Sequence, residues 1–97
     1  MANVKISWTN PADISDQDTV EVFRATGDQT ALTPDAFRAA AGTAITSIPV
    51  ANYTAGSADE YVDMNVPTGE TYTYGAFSYN AAGFGPGDIA DTVITLA

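Results

Sequence analysis

The stretch that decides the fold runs from Val66 to Gly83, VPTGETYTYGAFSYNAAG. It opens on Val66-Pro67-Thr68-Gly69, a turn signal in which proline fixes φ and glycine supplies the positive φ that other residues resist. A strand of alternating character follows. Tyr72, Tyr74, Ala76 and Ser78 fall on one face, and Thr73, Gly75, Phe77 and Tyr79 on the other, as a period of two requires. Asn80-Ala81-Ala82-Gly83 closes the strand with a second turn.

Working outward, Val4, Ile6 and Trp8 alternate with Lys5 and Ser7, a half-buried strand near the N-terminus. Asn10 to Asp18 is a loop by its Pro, Asn, Asp and Ser content. In Thr19 to Ala25, Val20 and Val22 share one face, and Glu21, Phe23 and Ala25 the other. A helix is expected from Pro34 to Ala41, with Thr33 as cap, Pro34 at the first position and Gly42 at the end. Leu32 and Phe37 have the spacing of a hydrophobic staple. Ala44 to Val50 is an apolar run whose Pro49 marks an edge strand. In Glu60 to Val66, Tyr61, Asp63 and Asn65 face one way and Val62, Met64 and Val66 the other. Phe84-Gly85-Pro86-Gly87 is expected to turn, with the last strand over Asp88 to Leu96.

Several of these residues resemble the fibronectin type III family, in the branch common among bacterial and phage structural proteins. Pro67, Tyr72, Asn80 and Gly83 match its pattern of a Pro-Gly turn, a core tyrosine, and an Asn and a Gly before the last strand. Trp8 with Asn10-Pro11 is similar to its second strand, and Val22-Phe23-Arg24-Ala25 and Tyr61-Val62-Asp63 to further segments. The resemblance implies an all-β, immunoglobulin-like sandwich of two sheets spanning residues 1–97 as one domain. It implies that Trp8 anchors the core and that the Tyr72 hydroxyl bonds back to the main chain near the turn. Two departures stand out: the helix around 34–41, and a first strand for which no sequence remains. The latter leaves Val4, Lys5 and Ile6 on an open edge that another chain can pair with, guarded only by Lys5.

Composition narrows the function. Twelve Asp and Glu against three Lys and Arg give a net charge of −9, which opposes binding to phosphate backbones and argues against nucleic acid as a partner. No apolar run approaches the roughly 20 residues that cross a bilayer, and the N-terminus lacks an export signal pattern. The chain has no His and no Cys. It therefore lacks the commonest general base, the commonest metal ligand and the best side-chain nucleophile. A non-enzyme without a cofactor is expected. Asp13, Asp16 and Asp18 give a weak calcium signal, since their spacing lacks the glycine and distal glutamate of an EF-hand loop.

If Tyr72, Tyr74 and Ala76 point inward, Phe77 and Tyr79 point out, and Phe23 joins them from the neighbouring strand. Three aromatics on one sheet face suit a protein interface; the competing arrangement folds the helix, or the loop after Tyr53, over them as a second small core. The resemblance implies a structural role. The expectation is a small phage virion component, a capsid decoration or tail accessory protein, assembled in the host cytoplasm and bound to itself or to a repeated lattice. The alternative is an extracellular spacer or carbohydrate-binding module from a larger bacterial enzyme or adhesin.

Overall fold

A computed structural model describes residues 2–10, 19–49, 54, 56–80, 82–89 and 94–95, with side chains from 84 onward left aside. The described chain is an all-β sandwich with one helix. Its elements are β1 (Ala2–Thr9), β2 (Thr19–Thr26), α1 (Pro34–Ala41), β3 (Thr46–Pro49), β4 (Ala58–Val66), β5 (Thr71–Asn80), β6 (Gly83–Ile89) and β7 (Ile94–Thr95). One sheet pairs β1 with β4. The other runs β3-β2-β5-β6, and β7 continues along the same side of β5 beyond β6. All pairings are antiparallel.

Period two does the sorting. Val4 and Ile6 from β1, Val66 from β4, and Tyr72 and Tyr74 from β5 form the core between the sheets, with Trp8, Ile45 and Tyr61 packed around it. Val20 and Val22 are buried on β2, opposite Ser78 and Ala76 of β5. The Tyr72 hydroxyl donates to the Pro67 carbonyl at 3.2 Å, tying the start of β5 to the turn before it. At the end of β1, Trp8 Nε1 donates to Asn10 Oδ1 at 2.8 Å. The buried Asn10 in turn donates to the Thr54 and Ser57 carbonyls, so a polar side chain inside the fold is satisfied, as burial demands.

Strand β4 departs from simple alternation. Asp63 lies opposite Val4 and Tyr61 opposite Ile6, whereas Val66 lies opposite Ala2, so the register slips between them. Asn65 takes φ 60°, a left-handed conformation that asparagine tolerates better than most residues. Its amide is held by Asn3 Oδ1 at 3.3 Å. This bulge turns Val66 inward to full burial, while Val62 and Met64, expected on the same face, stay exposed. A bulge changes which parity faces the core, and no alternation rule anticipates it.

The C-terminal part also differs from expectation. The turn is confined to residues around Asn80 and Gly83, and the glycine-rich 84–87 segment lies within β6, paired with β5. Of the strand expected over Asp88 to Leu96, the described residues fall at the end of β6 and in β7 at Ile94–Thr95, and the rest lies outside the described residues.

Helix α1 forms where its signals lie. Thr33 Oγ1 accepts from the Ala36 amide at 3.3 Å, Pro34 occupies the first turn, and the Gly42 amide donates to the Arg38 carbonyl at 2.9 Å. The helix packs on the outer face of the larger sheet, giving a third layer. Phe37, Phe23, Ala25 and Phe77 make a second buried cluster there, flanked by Leu32, Ala41 and Ala44.

Candidate binding surfaces

The expected open aromatic face is covered. Phe23 and Phe77 are 4% and 1% exposed, and the ring between them and solvent is Phe37 of α1, itself fully buried. Phe37 and Phe77 have ring centroids 6.1 Å apart, and Phe23 meets Phe77 edge-on at 6.0 Å, within the range aromatic pairs prefer. The guanidinium of Arg38 lies 4.7 Å from the Phe77 centroid and also pairs with Asp35. Helix burial thus corrects the assignment of Phe23 and Phe77 as partner anchors. Of the three, Tyr79 alone reaches the surface, at 37% exposure.

Glycine makes this covering possible. Gly75 sits opposite Phe23 across the β2/β5 ladder, and a Cβ there would fall 2.8 Å from Phe37 Cε2 and 2.8 Å from Phe77 Cε2. The approach to the helix is set by Thr73, fully buried two residues earlier on the same face. Its hydroxyl accepts from the Gln29 amide at 3.0 Å and donates to the Gly27 carbonyl at 2.7 Å, pinning the segment that leads from β2 to α1.

Beside the covered cluster lies a groove of about 550 Å³, lined by Glu21, Phe23, Thr43, Thr46, Ser47 and Tyr79 among others. Glu21 and Ser47 face each other across the β2/β3 ladder, and the Ser47 hydroxyl donates to the Glu21 carboxylate. Sequence parity places Glu21 on the same face as Phe23, but Ser47 joins it through strand register, which is not a local property.

On the other layer, β1 pairs with β4 and with no second strand among the described residues. Val4 and Ile6 are buried, and Lys5 points out, its ammonium 3.6 Å from the Glu60 carboxylate. An exposed pair of this kind holds little energy, so it leaves the edge approachable.

The interior between the sheets holds a charged group that parity alone signals. Arg24 shares the inward face with Val20 and Val22, and meets Asp63 Oδ2 at 2.8 Å, while the Tyr74 hydroxyl donates to the same oxygen at 2.9 Å. The guanidinium also stacks 5.2 Å above the Tyr72 ring. Desolvation works against the Arg24 charge, but the hydrogen bond and charge of Asp63 outweigh it and the pKa rises. Burial, then the Asp63 hydrogen bond and charge, push the Tyr74 phenol well above its ordinary range. These groups join the two sheets, with the Arg24 side chain partly open to solvent.

Among the described residues no three His, Cys, Asp or Glu converge as a metal site would require; the acidic trio Asp13, Asp16 and Asp18 lies outside those residues. No described helix is long and apolar enough to cross a membrane. No family model, curated protein or solved structure matches the chain.

Proposed function

We propose that this chain is a fibronectin type III-like, non-enzymatic assembly protein, most concretely a small phage virion component that decorates a capsid or serves as a tail accessory. The observation that carries the reading is the edge of β1, which has one described neighbour in a two-stranded sheet. Such an edge presents a row of main-chain donors and acceptors that a strand from a lattice protein satisfies without any special side chain. Many copies on a symmetric lattice then gain strength by repetition. The net charge of −9 supports a protein partner and opposes nucleic acid. The tyrosine-to-turn bond of Tyr72 and the Asn80 to Gly83 hairpin support the family assignment.

The test is where the protein is found. Antibody raised against the purified chain should label intact particles purified from the source culture, with many copies per particle. Label confined to the culture fluid, together with glycan binding by the purified chain, refutes the reading in favour of the extracellular module. The groove supports that second reading to the extent that a tyrosine beside hydroxyls and a carboxylate is also a composition that suits sugars.

A further inference from the structure

The groove beside α1 has a chemistry that selects its occupant. Its volume of about 550 Å³ falls within the range of sites that hold small groups, roughly 300–1,000 Å³. Its lining includes one carboxylate residue, Glu21, with Ser47 beside it on the same sheet face, together with Thr43, Phe23 and Tyr79, and no lysine or arginine. The cations of this chain are few enough to account for individually. It has three Lys and Arg in all, and Lys5, Arg24 and Arg38 are paired with Glu60, Asp63 and Asp35. Each of the three therefore has a carboxylate partner other than Glu21.

We propose that this groove takes the guanidinium or ammonium of a basic side chain presented by a partner protein. Glu21 supplies the opposing charge, and Ser47 holds the carboxylate from below by donating to it. That hydroxyl retains a lone pair that accepts from a guanidinium, as does a threonine hydroxyl such as that of Thr43 at the groove. Tyr79, partly exposed at the rim, adds aromatic surface to the lining. The overall negative charge draws a basic segment in and is screened by salt. An anionic ligand finds no cationic side chain here. The groove lies on the outer face of the larger sheet and the β1 edge on the other layer, so the two surfaces can be engaged together. The identity of the partner rests on the assembly reading; the preference for a cation does not.

The isolated 97-residue chain, isotopically labelled for amide NMR, tests this with Nα-acetyl-arginine methylamide as probe. Its citrulline counterpart, nearly the same shape but uncharged, is the control. Saturable shifts are expected at the amides of Glu21, Thr43, Ser47 and Tyr79, with half-saturation at about 1 mM, as suits a single contact. Citrulline should bind at least about tenfold more weakly, and Glu21→Gln, which keeps a partner for Ser47, should bring the arginine probe down to the citrulline level. The same spectra report whether the variant is folded. Shifts that never saturate, an equal response to citrulline, or an unchanged response in Glu21→Gln would each overturn the proposal. Saturation by methyl glucoside without an arginine response would overturn it in favour of a glycan site. Because no particle is used, failure here is distinct from failure of the virion assignment.

Discussion

Replacing Gly75 with alanine adds one methyl group at the most crowded point of the outer layer. The new carbon would lie 2.8 Å from a ring carbon of Phe37 and 2.8 Å from one of Phe77, about 0.7 Å inside the separation at which carbon atoms rest comfortably. Gly75 is not held in the left-handed region, so the backbone accepts alanine and the cost is steric alone. Phe77 stands two residues along the same strand and is walled in by Phe23 and Arg38. The softer response is for Phe37 to withdraw, carrying α1 outward. Overpacking of this kind costs about 1–3 kcal/mol, and loss of the Phe37 burial sets a similar ceiling of about 3 kcal/mol. A value near 2 kcal/mol follows. With a urea dependence of about 1 kcal/mol/M for a chain of this size, the unfolding midpoint should fall by roughly 2 M. Phe37→Ala alone should cost more, about 3–5 kcal/mol, but in its background Gly75→Ala should cost at least about 1 kcal/mol less, because the vacated space lets Phe77 tilt. A midpoint for Gly75→Ala within about 0.5 M of wild type, or strictly additive losses in the pair, would refute the packing of α1 on β5.

Three further changes probe the interior. Asp63→Asn removes the counter-charge of Arg24, whose side chain is 29% exposed; the partial exposure brings the expected loss below that of a fully buried pair, to roughly 2–3 kcal/mol by urea denaturation. Tyr74 has a folded pKa above its unfolded value, so its contribution is intact below pH about 10, where the unfolded tyrosine is still protonated, and declines as pH rises beyond that. Stability measured from pH 8 to 11.5 should therefore fall less steeply in Tyr74→Phe than in wild type, although the variant starts lower. Thr73→Val leaves the Gln29 amide and the Gly27 carbonyl without the hydroxyl that joins them, and should cost about 1–3 kcal/mol, with faster amide exchange at Gln29 as the local readout.

What the sequence made legible was what depends on local order. The alternation in Val4 to Trp8, in Thr19 to Ala25 and in Tyr72 to Tyr79 specifies strands and their two faces, and capping by Thr33 with Pro34 and Gly42 specifies the helix at Pro34–Ala41. The failures share a physical origin. The inward turn of Val66 depends on one residue, Asn65, entering the left-handed region. Phe84 to Gly87 carry turn residues yet lie in a strand, because pairing with β5 overrides their local preference. The burial of Phe23 and Phe77, the pairing of Arg24 with Asp63, and the meeting of Glu21 with Ser47 are contacts between elements distant in sequence. One such contact did leave a trace: an arginine in phase with Val20 and Val22 needs a buried counter-charge, and Asp63, in phase with Tyr61, is the carboxylate that supplies it.

The eight-residue helix decides which surfaces remain for a partner. A sandwich of two sheets has two outer faces, and here the larger sheet carries Phe23, Phe77 and Tyr79 on one of them. Left open, Phe23 and Phe77 would form a hydrophobic patch of the kind that drives promiscuous association. Covering them with Phe37 converts that liability into a second core and leaves open the margin of the helix, where Tyr79 remains exposed and Glu21 borders the groove. The contact available there is small, charged and directional. It suits register and specificity better than strength, so strength has to come from elsewhere. The edge of β1, on the opposite layer, is a surface of the complementary kind: main-chain pairing is strong in aggregate and indifferent to side chains. A partner that engaged the edge alone would be bound without selection, and one that engaged the groove alone would be selected without being held. Under the assembly role proposed above, simultaneous use of both by neighbouring lattice subunits would join the two properties, and Glu21→Gln should then alter which particles the chain binds more than how tightly it binds once seated, as read by competitive particle-binding assays.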